Sequence, residues 1–299
     1  MHTRHKRAPL TLALALPSCY MTIRCPFRQK TWRRKESPAG SGLSLPKLSR
    51  GVALQDQGDL PAASEHYQEE LAVHPEHLRA RFNLAVIYHD QHKYSAAKEQ
   101  YYRLLDYAPN HARSLVNLAD IAQAEGDLEQ AQRLLRRAVA AEPDRAYPYS
   151  FLGRFLQQQG QLTAAQAAYE RALAIEDDAV THYRFGILWL QQGQASEART
   201  QFTKAVERDP NEVKSLYQLA LLALQSGEDT QAISYLQRLT FLTPRNAEVF
   251  LLLGKLYMQQ GQLAAAALHF WEARNLQPDL PDVQHLLQQV YEALQQEQR

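Results

Sequence analysis

The chain has almost no cysteine. Its two, Cys19 and Cys25, stand in the first 35 residues, and residues 36–299 have none. Disulfides and thiol chemistry are thereby excluded as what holds the main body together. The five residues between the two cysteines do not match the paired spacing of a zinc site. The first 35 residues also lack Asp and Glu, although they carry nine Lys and Arg. That leaves 24 basic against 32 acidic residues in 36–299, a net charge of −8 beneath an overall formal charge of +1. A body of that sign argues against general nucleic-acid binding, which needs cations to neutralise phosphates, so no nucleic-acid partner is expected. Also missing is any apolar run of about 20 residues, the length that spans a bilayer as a helix.

The basic arm leaves several readings open. Ala8 to Pro17 follows a basic start and has the shape of a short signal sequence. Leu16-Pro17-Ser18-Cys19 is faintly similar to a bacterial lipoprotein cleavage box, and the acid-free, Arg-rich composition resembles an organelle transit peptide. A solvated, unstructured tail, or a start at Met21, would serve equally. Residues 1–43 are read as this arm and a linker, since 36–46 are rich in Ser, Pro and Gly. A cytoplasmic location is favoured; a periplasmic or membrane-anchored one through the arm is the alternative.

What the chain does have is period. Pro75, Pro109 and Pro143 stand 34 residues apart, and so do Pro210, Pro244 and Pro278. The gap of 67 between the trios is one full period and one shorter by a residue, with Asp177 where its proline would be. Seven units follow: 44–77, 78–111, 112–145, 146–178, 179–212, 213–246 and 247–280. Twelve residues before each proline position is an alanine (Ala63, Ala97, Ala131, Ala165, Ala198, Ala232, Ala266). Seventeen before it is a glycine in every unit but one, where His92 stands. Twenty-four before it the residue is always Gly or Ala, and eight before it always bulky, from Tyr67 to Phe270.

Each unit reads as two helices. The glycine supplies the positive φ that ends the first, and the proline closes the second. The alanine and the small residue let the pair approach closely, and the bulky residue packs back onto the first helix. No unit buries its apolar face alone, so the units must stack. The first, with Pro46, Lys47 and Arg50 in its first helix, is expected to be a partial or capping unit. Residues 281–299 read as a final helix, with Val283, Leu286, Leu287, Val290 and Leu294 at helical spacing. The expected fold is all-α, a right-handed superhelical solenoid of helix-turn-helix repeats.

At these positions the chain strongly resembles the tetratricopeptide repeat family, over residues 44–280 and a C-terminal capping helix. The resemblance implies that the first helices line a concave groove, through positions 2, 5, 6, 9, 12 and 13 of each repeat. Position 2 then offers Arg79, Arg113, Tyr147, Lys214 and Glu248; position 5 offers Phe82, Tyr183 and Tyr217, with Val116 and Leu251 expected to pack inward. Position 6 offers Asn83, Asn117, Phe151, Arg184 and Gln218, and position 9 offers Asp120, Arg154 and Lys255. Aromatics and Arg are enriched at binding hot spots, and Asn and Gln can satisfy both groups of a peptide backbone. The expected partner is a protein or peptide segment, with the aromatics as anchors and the cations holding acidic groups.

Chemistry is otherwise sparse. His74 and His77, and His89 and His92, are each three apart, but His77 and His89 are about 18 Å apart at 1.5 Å per helical residue, too far to share a metal. No phosphate-cradling loop, nucleophile elbow or dinucleotide fingerprint is present in the sequence. The chain is therefore read as a non-enzymatic scaffold or adaptor without cofactor. The alternatives are an envelope-anchored assembly factor of pilus or cell-wall machinery, and a regulatory subunit of a partner enzyme.

Overall fold

The computed structural model describes residues 45–297, with side chains from Leu48 onward. The signal-like segment, the possible start at Met21 and both cysteines lie outside the described residues. Within them there are fifteen α-helices and no strand. They form seven antiparallel pairs: α1 Leu45–Gln57 with α2 Leu60–Val73, α3 Leu78–Asp90 with α4 Tyr94–Tyr107, α5 Ala112–Ala124 with α6 Leu128–Ala141, and α7 Ala146–Gln158 with α8 Leu162–Ile175. Then come α9 Ala179–Gln191 with α10 Ala195–Arg208, α11 Val213–Ser226 with α12 Asp229–Leu242, and α13 Ala247–Gln259 with α14 Leu263–Leu276. The last helix, α15 Val283–Glu297, lies on α14 and buries Val283, Leu287 and Val290 around Phe270. Each second helix packs on the first helix of the next pair, and α7 also touches the first helices on either side of it, α5 and α9. This is an all-α right-handed superhelical solenoid.

The expected turn chemistry is present. Gly58, Gly126, Gly160, Gly193, Gly227 and Gly261 all take φ between 71° and 87°. His92 adopts the same left-handed turn at φ 57°, its Nδ1 3.0 Å from the Tyr94 hydroxyl. Short polar side chains accept from the first helical N–H groups, as Asp178 does from Thr181 at 3.0 Å and His111 from Ser114 at 3.2 Å. The first pair is complete rather than partial: proline is tolerated in a helix's first turn, so Pro46 does not stop α1. Leu48 and Gly51 of α1 face α2, while Ser49 and Arg50 face water.

Within each pair the bulky side chain of the second helix lies on the small residue of the first. A Cβ added at Gly51, Gly153 or Gly254 would come within 2.7 or 2.8 Å of the ring of Tyr67, Tyr169 or Phe270. At Gly186 it would meet Phe202 at 2.5 Å. Repeats 3 and 6 combine Ala119 with Leu135 and Ala220 with Leu236, a smaller residue opposite the added methyl; repeat 2 keeps Ala85 with Tyr101.

The buried tyrosine hydroxyls need partners, and the next repeat supplies two of them. Asn83 Nδ2 donates to the Tyr67 hydroxyl at 3.2 Å and Asn117 Nδ2 to the Tyr101 hydroxyl at 2.9 Å. The Tyr169 hydroxyl donates instead to Gln157 Oε1 at 2.8 Å.

The junctions are clasped by arginine. Arg137 and Arg238 donate to the carbonyls of Pro109 and Pro210, each at 2.5 Å, and Arg81 donates to that of Pro75. Asp177, at the short repeat's proline position, replaces the carbonyl with a carboxylate. It accepts from Arg208 Nε at 2.8 Å and from His182 Nε2 at 2.5 Å, and the other His182 nitrogen lies 2.7 Å from Gln201 Oε1. The hydrogen bonds from Arg208 and His182 draw the Asp177 carboxyl down to about 2.

Two expectations follow. Gly186→Ala should destabilise the protein by about 1–3 kcal/mol, the usual penalty for overpacking, and Phe202→Leu in the same chain should restore part of it; urea titration followed by circular dichroism reads both. Asp177→Asn should lower the melting temperature at neutral pH. A carboxyl whose folded-state pKa is depressed stabilises above its unfolded value and loses that contribution as pH falls through the folded one. The gap between variant and parent should therefore narrow from about pH 4 down to pH 2, and a gap independent of pH would rule the carboxylate out as the clasp.

Candidate functional site

The α5, α7, α9 and α11 helices bring a strip of cations and aromatic rings together. The Arg113 guanidinium stands 5.8 Å from the Tyr147 centroid, and Lys214 Nζ stands 5.6 Å from that of Tyr183. Between them Phe151 is approached by two guanidiniums, Arg184 at 4.5 Å and Arg154 at 5.1 Å. Each pairing except that of Arg154 crosses a repeat boundary, so stacking of the repeats builds the strip. Cation–π contacts of this kind are worth about 0.5–2 kcal/mol depending on exposure and hold the charged heads in place.

Polar contacts fix the strip further. Arg154 Nη2 donates to Asp120 Oδ1 at 2.6 Å, and Asp120 Oδ2 lies 3.4 Å from His89 Nε2. Arg184 Nη1 donates to Ser150 Oγ at 2.9 Å, which also accepts from the Thr181 hydroxyl at 2.9 Å. The Tyr147 hydroxyl donates to Glu142 Oε2 at 2.9 Å. Beside these lies a small cleft lined by Tyr147, Ser150, Phe151, Asp178, Val180 and Arg184.

The electrostatics follow from burial and partners. Burial pushes the Asp120 carboxyl up, but hydrogen bonds from His89 and Arg154 and the Arg154 charge outweigh it and hold the group well below the usual carboxylate range. Burial pulls the Arg113 guanidinium below its ordinary value. It pushes Tyr183 up to about 12 and moves Tyr147 and Tyr217 in the same direction, with nearby Glu142 and Glu248 adding to the effect. These phenols stay neutral and act as rings and hydroxyls.

Several expected site residues are placed differently. Phe82 is a core residue, 6% exposed, with Tyr101 and His111 at centroid distances of 6.0 and 5.3 Å. Rings of its own repeat cover it, so its face is not open to a ligand. Asn83 and Asn117 spend an amide N–H on a tyrosine hydroxyl and are structural at that atom. Val116 and Leu251 are buried. Arg79 is half-buried near Tyr67, Tyr217 is half-buried within its own core cluster, and Gln218 and Lys255 lie partly exposed on α11 and α13.

Sequence reasoning missed the supporting groups. His89, Ser150 and Thr181 are buried polar side chains that hold Asp120 and Arg184. A row of glutamines lies at the far ends of the first helices: Gln123 Nε2 donates to Gln158 Oε1 at 2.5 Å and Gln157 Nε2 to Gln191 Oε1 at 2.8 Å. The period held a signal for both, since Asp120 and Arg154, and Gln157 and Gln191, are 34 residues apart. The expected histidine pairs have separate duties, His77 capping α3 and His92 forming a turn. Among the described residues no group of three metal-ligating side chains gathers, and no helix is long and apolar enough to cross a membrane.

Comparison with known proteins agrees with this architecture. Two tetratricopeptide repeat models match, one over residues 48–112 and the other over 88–155 and 122–184. The model of the cilia and flagella-associated protein 70 middle TPR-like domain matches residues 156–277. A search of the curated proteins finds no match. Among solved structures, the APC/C hetero-tetramer Cut9-Hcn1 is similar at 18% identity and a TM-score of 0.61, over 83% of this chain and 49% of that one. This chain thus spans about half the length of that relative. Pseudomonas aeruginosa pilF is similar at 21% identity and 0.60, over 71% of this chain and 97% of its own. PilW, a widely conserved type IV pilus biogenesis factor, is similar at 21% and 0.58, over 70% and 98%. At such identities the likeness is one of fold. With repeat models spanning residues 48–277 and seven helical pairs capped by an eighth first-type helix, the chain belongs to the tetratricopeptide repeat family.

Proposed function

We propose that the groove lined by the first helices of repeats 3 to 6 holds an acidic segment of a partner protein, and that the chain serves as an adaptor for that partner. Tetratricopeptide repeat proteins are in general non-enzymatic scaffolds that bind proteins or peptides. The observation that carries the finer reading is the strip itself. Arg113, Arg184 and Lys214 are each held against a ring contributed by another repeat, in a body whose net charge is otherwise acidic. Cations ordered before binding lose little rotamer freedom on meeting a ligand, which lowers the cost of association. They also steer an acidic segment toward the groove. The fold likeness to pilus proteins, at 21% identity, gives no role by itself, because fold does not fix function.

A photo-crosslinking amino acid tests this directly. Placed at Lys214 in the proposed groove it should capture a host protein; placed at Lys204, exposed on the second-type helix α10, it should not. Capture should weaken as salt rises, because exposed charges are screened beyond about 8 Å at 0.15 M. Equal capture from both positions would place the partner elsewhere.

A further inference from the structure

The two guanidiniums at Phe151 are held differently. Arg184 donates to Ser150, a buried hydroxyl kept in place by Thr181. Arg154 is held by a carboxylate from the preceding repeat, donating Nη2 to Asp120 Oδ1 at 2.6 Å, while its Nε is buried without a hydrogen bond. A guanidinium and a carboxylate pair best through two parallel N–H donors. Asp120 takes only one, because its second oxygen faces His89 Nε2 at 3.4 Å. The contact is thus a single-point pairing that leaves the arginine fork half used. The Asp120 side chain is about one-third exposed (36%), so the pair borders solvent.

We propose that Arg154 and Arg184, braced on Phe151, form a subsite for an aspartate or glutamate side chain of the bound segment, and that Asp120 is an internal competitor that sets how tightly the subsite accepts it. This rests on the groove reading above and adds its ligand chemistry and its control. Charge selects the occupant. Positions 2, 5, 6 and 9 of repeats 2 to 7 carry six cations and two carboxylates, Asp120 and Glu248, while residues 36–299 as a whole carry −8. A nucleic-acid strand would instead need ring faces open to its bases; here cations already stand over Tyr147, Phe151 and Tyr183. A carboxylate asks only for the N–H edges of the fork. Asp120 occupies one of those edges as the ligand's own functional group would. Remaining ionised well into acid, it competes at every physiological pH.

The probes are a short fluorescein-labelled peptide of alternating Glu and Ala and its counterpart with Gln for Glu, read by fluorescence anisotropy on the full chain. The Glu peptide should bind wild type more tightly than the Gln peptide. Asp120→Asn should tighten the Glu peptide about tenfold, and Arg184→Gln should weaken it about tenfold, the scale of one charge-assisted hydrogen bond. Neither variant should change the Gln peptide. Thermal melts check that both variants fold; if Asp120→Asn does not, Arg184→Gln decides alone, through the difference it makes between the two peptides. Equal binding of the peptides to wild type, or no tightening in a folded Asp120→Asn protein, would overturn the proposal. Crosslinking at Lys214 separates the two readings. If Lys214 still captures the host partner while Asp120→Asn and Arg184→Gln leave that capture unchanged, the groove stands and the carboxylate subsite falls. If Lys214 captures nothing, the groove falls with it.

Discussion

Everything in this molecule depends on one contact, the seating of a large side chain from each second helix on a residue with little or no side chain in the first. Where an aromatic ring takes the seat, glycine faces it in four of the five repeats: Gly51, Gly153, Gly186 and Gly254 against Tyr67, Tyr169, Phe202 and Phe270. The contact sets how close the two helices lie and so how the pair presents its edge to the next one. A solenoid has no other core to fall back on; its stability is a sum of such units and their interfaces. The strip from Arg113 to Lys214 inherits its geometry from the same contact, because its cations and rings come from different repeats and meet only when the spacing of the pairs is right.

The architecture was legible because its signals are local and recur. Glycine at the turn, alanine one turn before the bulky residue and proline at the junction each answer a constraint within a few residues, and recurrence over seven periods separates them from chance. The missing proline at Asp177 was legible as a gap in the period. What replaces it was not, because the clasp joins Asp177 to Arg208, thirty-one residues on, and to His182.

The candidate site was legible in part. Tyr147, Phe151, Arg154, Tyr183, Arg184 and Lys214 stand where the repeat register places groove residues, and the structure gathers them. Phe82 shares the register of Tyr183, yet His111 and Tyr101 close over it. The register fixes where a Cα lies, whereas exposure depends on which side chains close over it, here two rings of the same repeat. Asn83 and Asn117 show the same limit, since each looked available until the hydroxyl it serves was located. Asp120 and Arg154 stood in plain view as opposite charges one period apart, and their pairing needed no structure to suspect.

The tyrosine–asparagine bonds have a consequence for how such an array diversifies. Asn stands at position 6 in the repeats that follow Tyr67 and Tyr101, and other residues stand there after Leu135, Phe202 and Leu236, which carry no hydroxyl; after Tyr169 the position holds Arg184, and that hydroxyl donates to Gln157 of its own repeat. At those two junctions the residue at that position is thus an answer to its predecessor. A unit carrying Phe151 inserted behind repeat 2 would keep the backbone join intact and set a phenyl ring where the Tyr101 hydroxyl now meets an amide. The repeats are interchangeable as backbones but not as sequences. Recombination at those two junctions would have to carry substitutions in couples, one in each of two adjoining copies, which ties the lineage of each of those repeats to that of its neighbour.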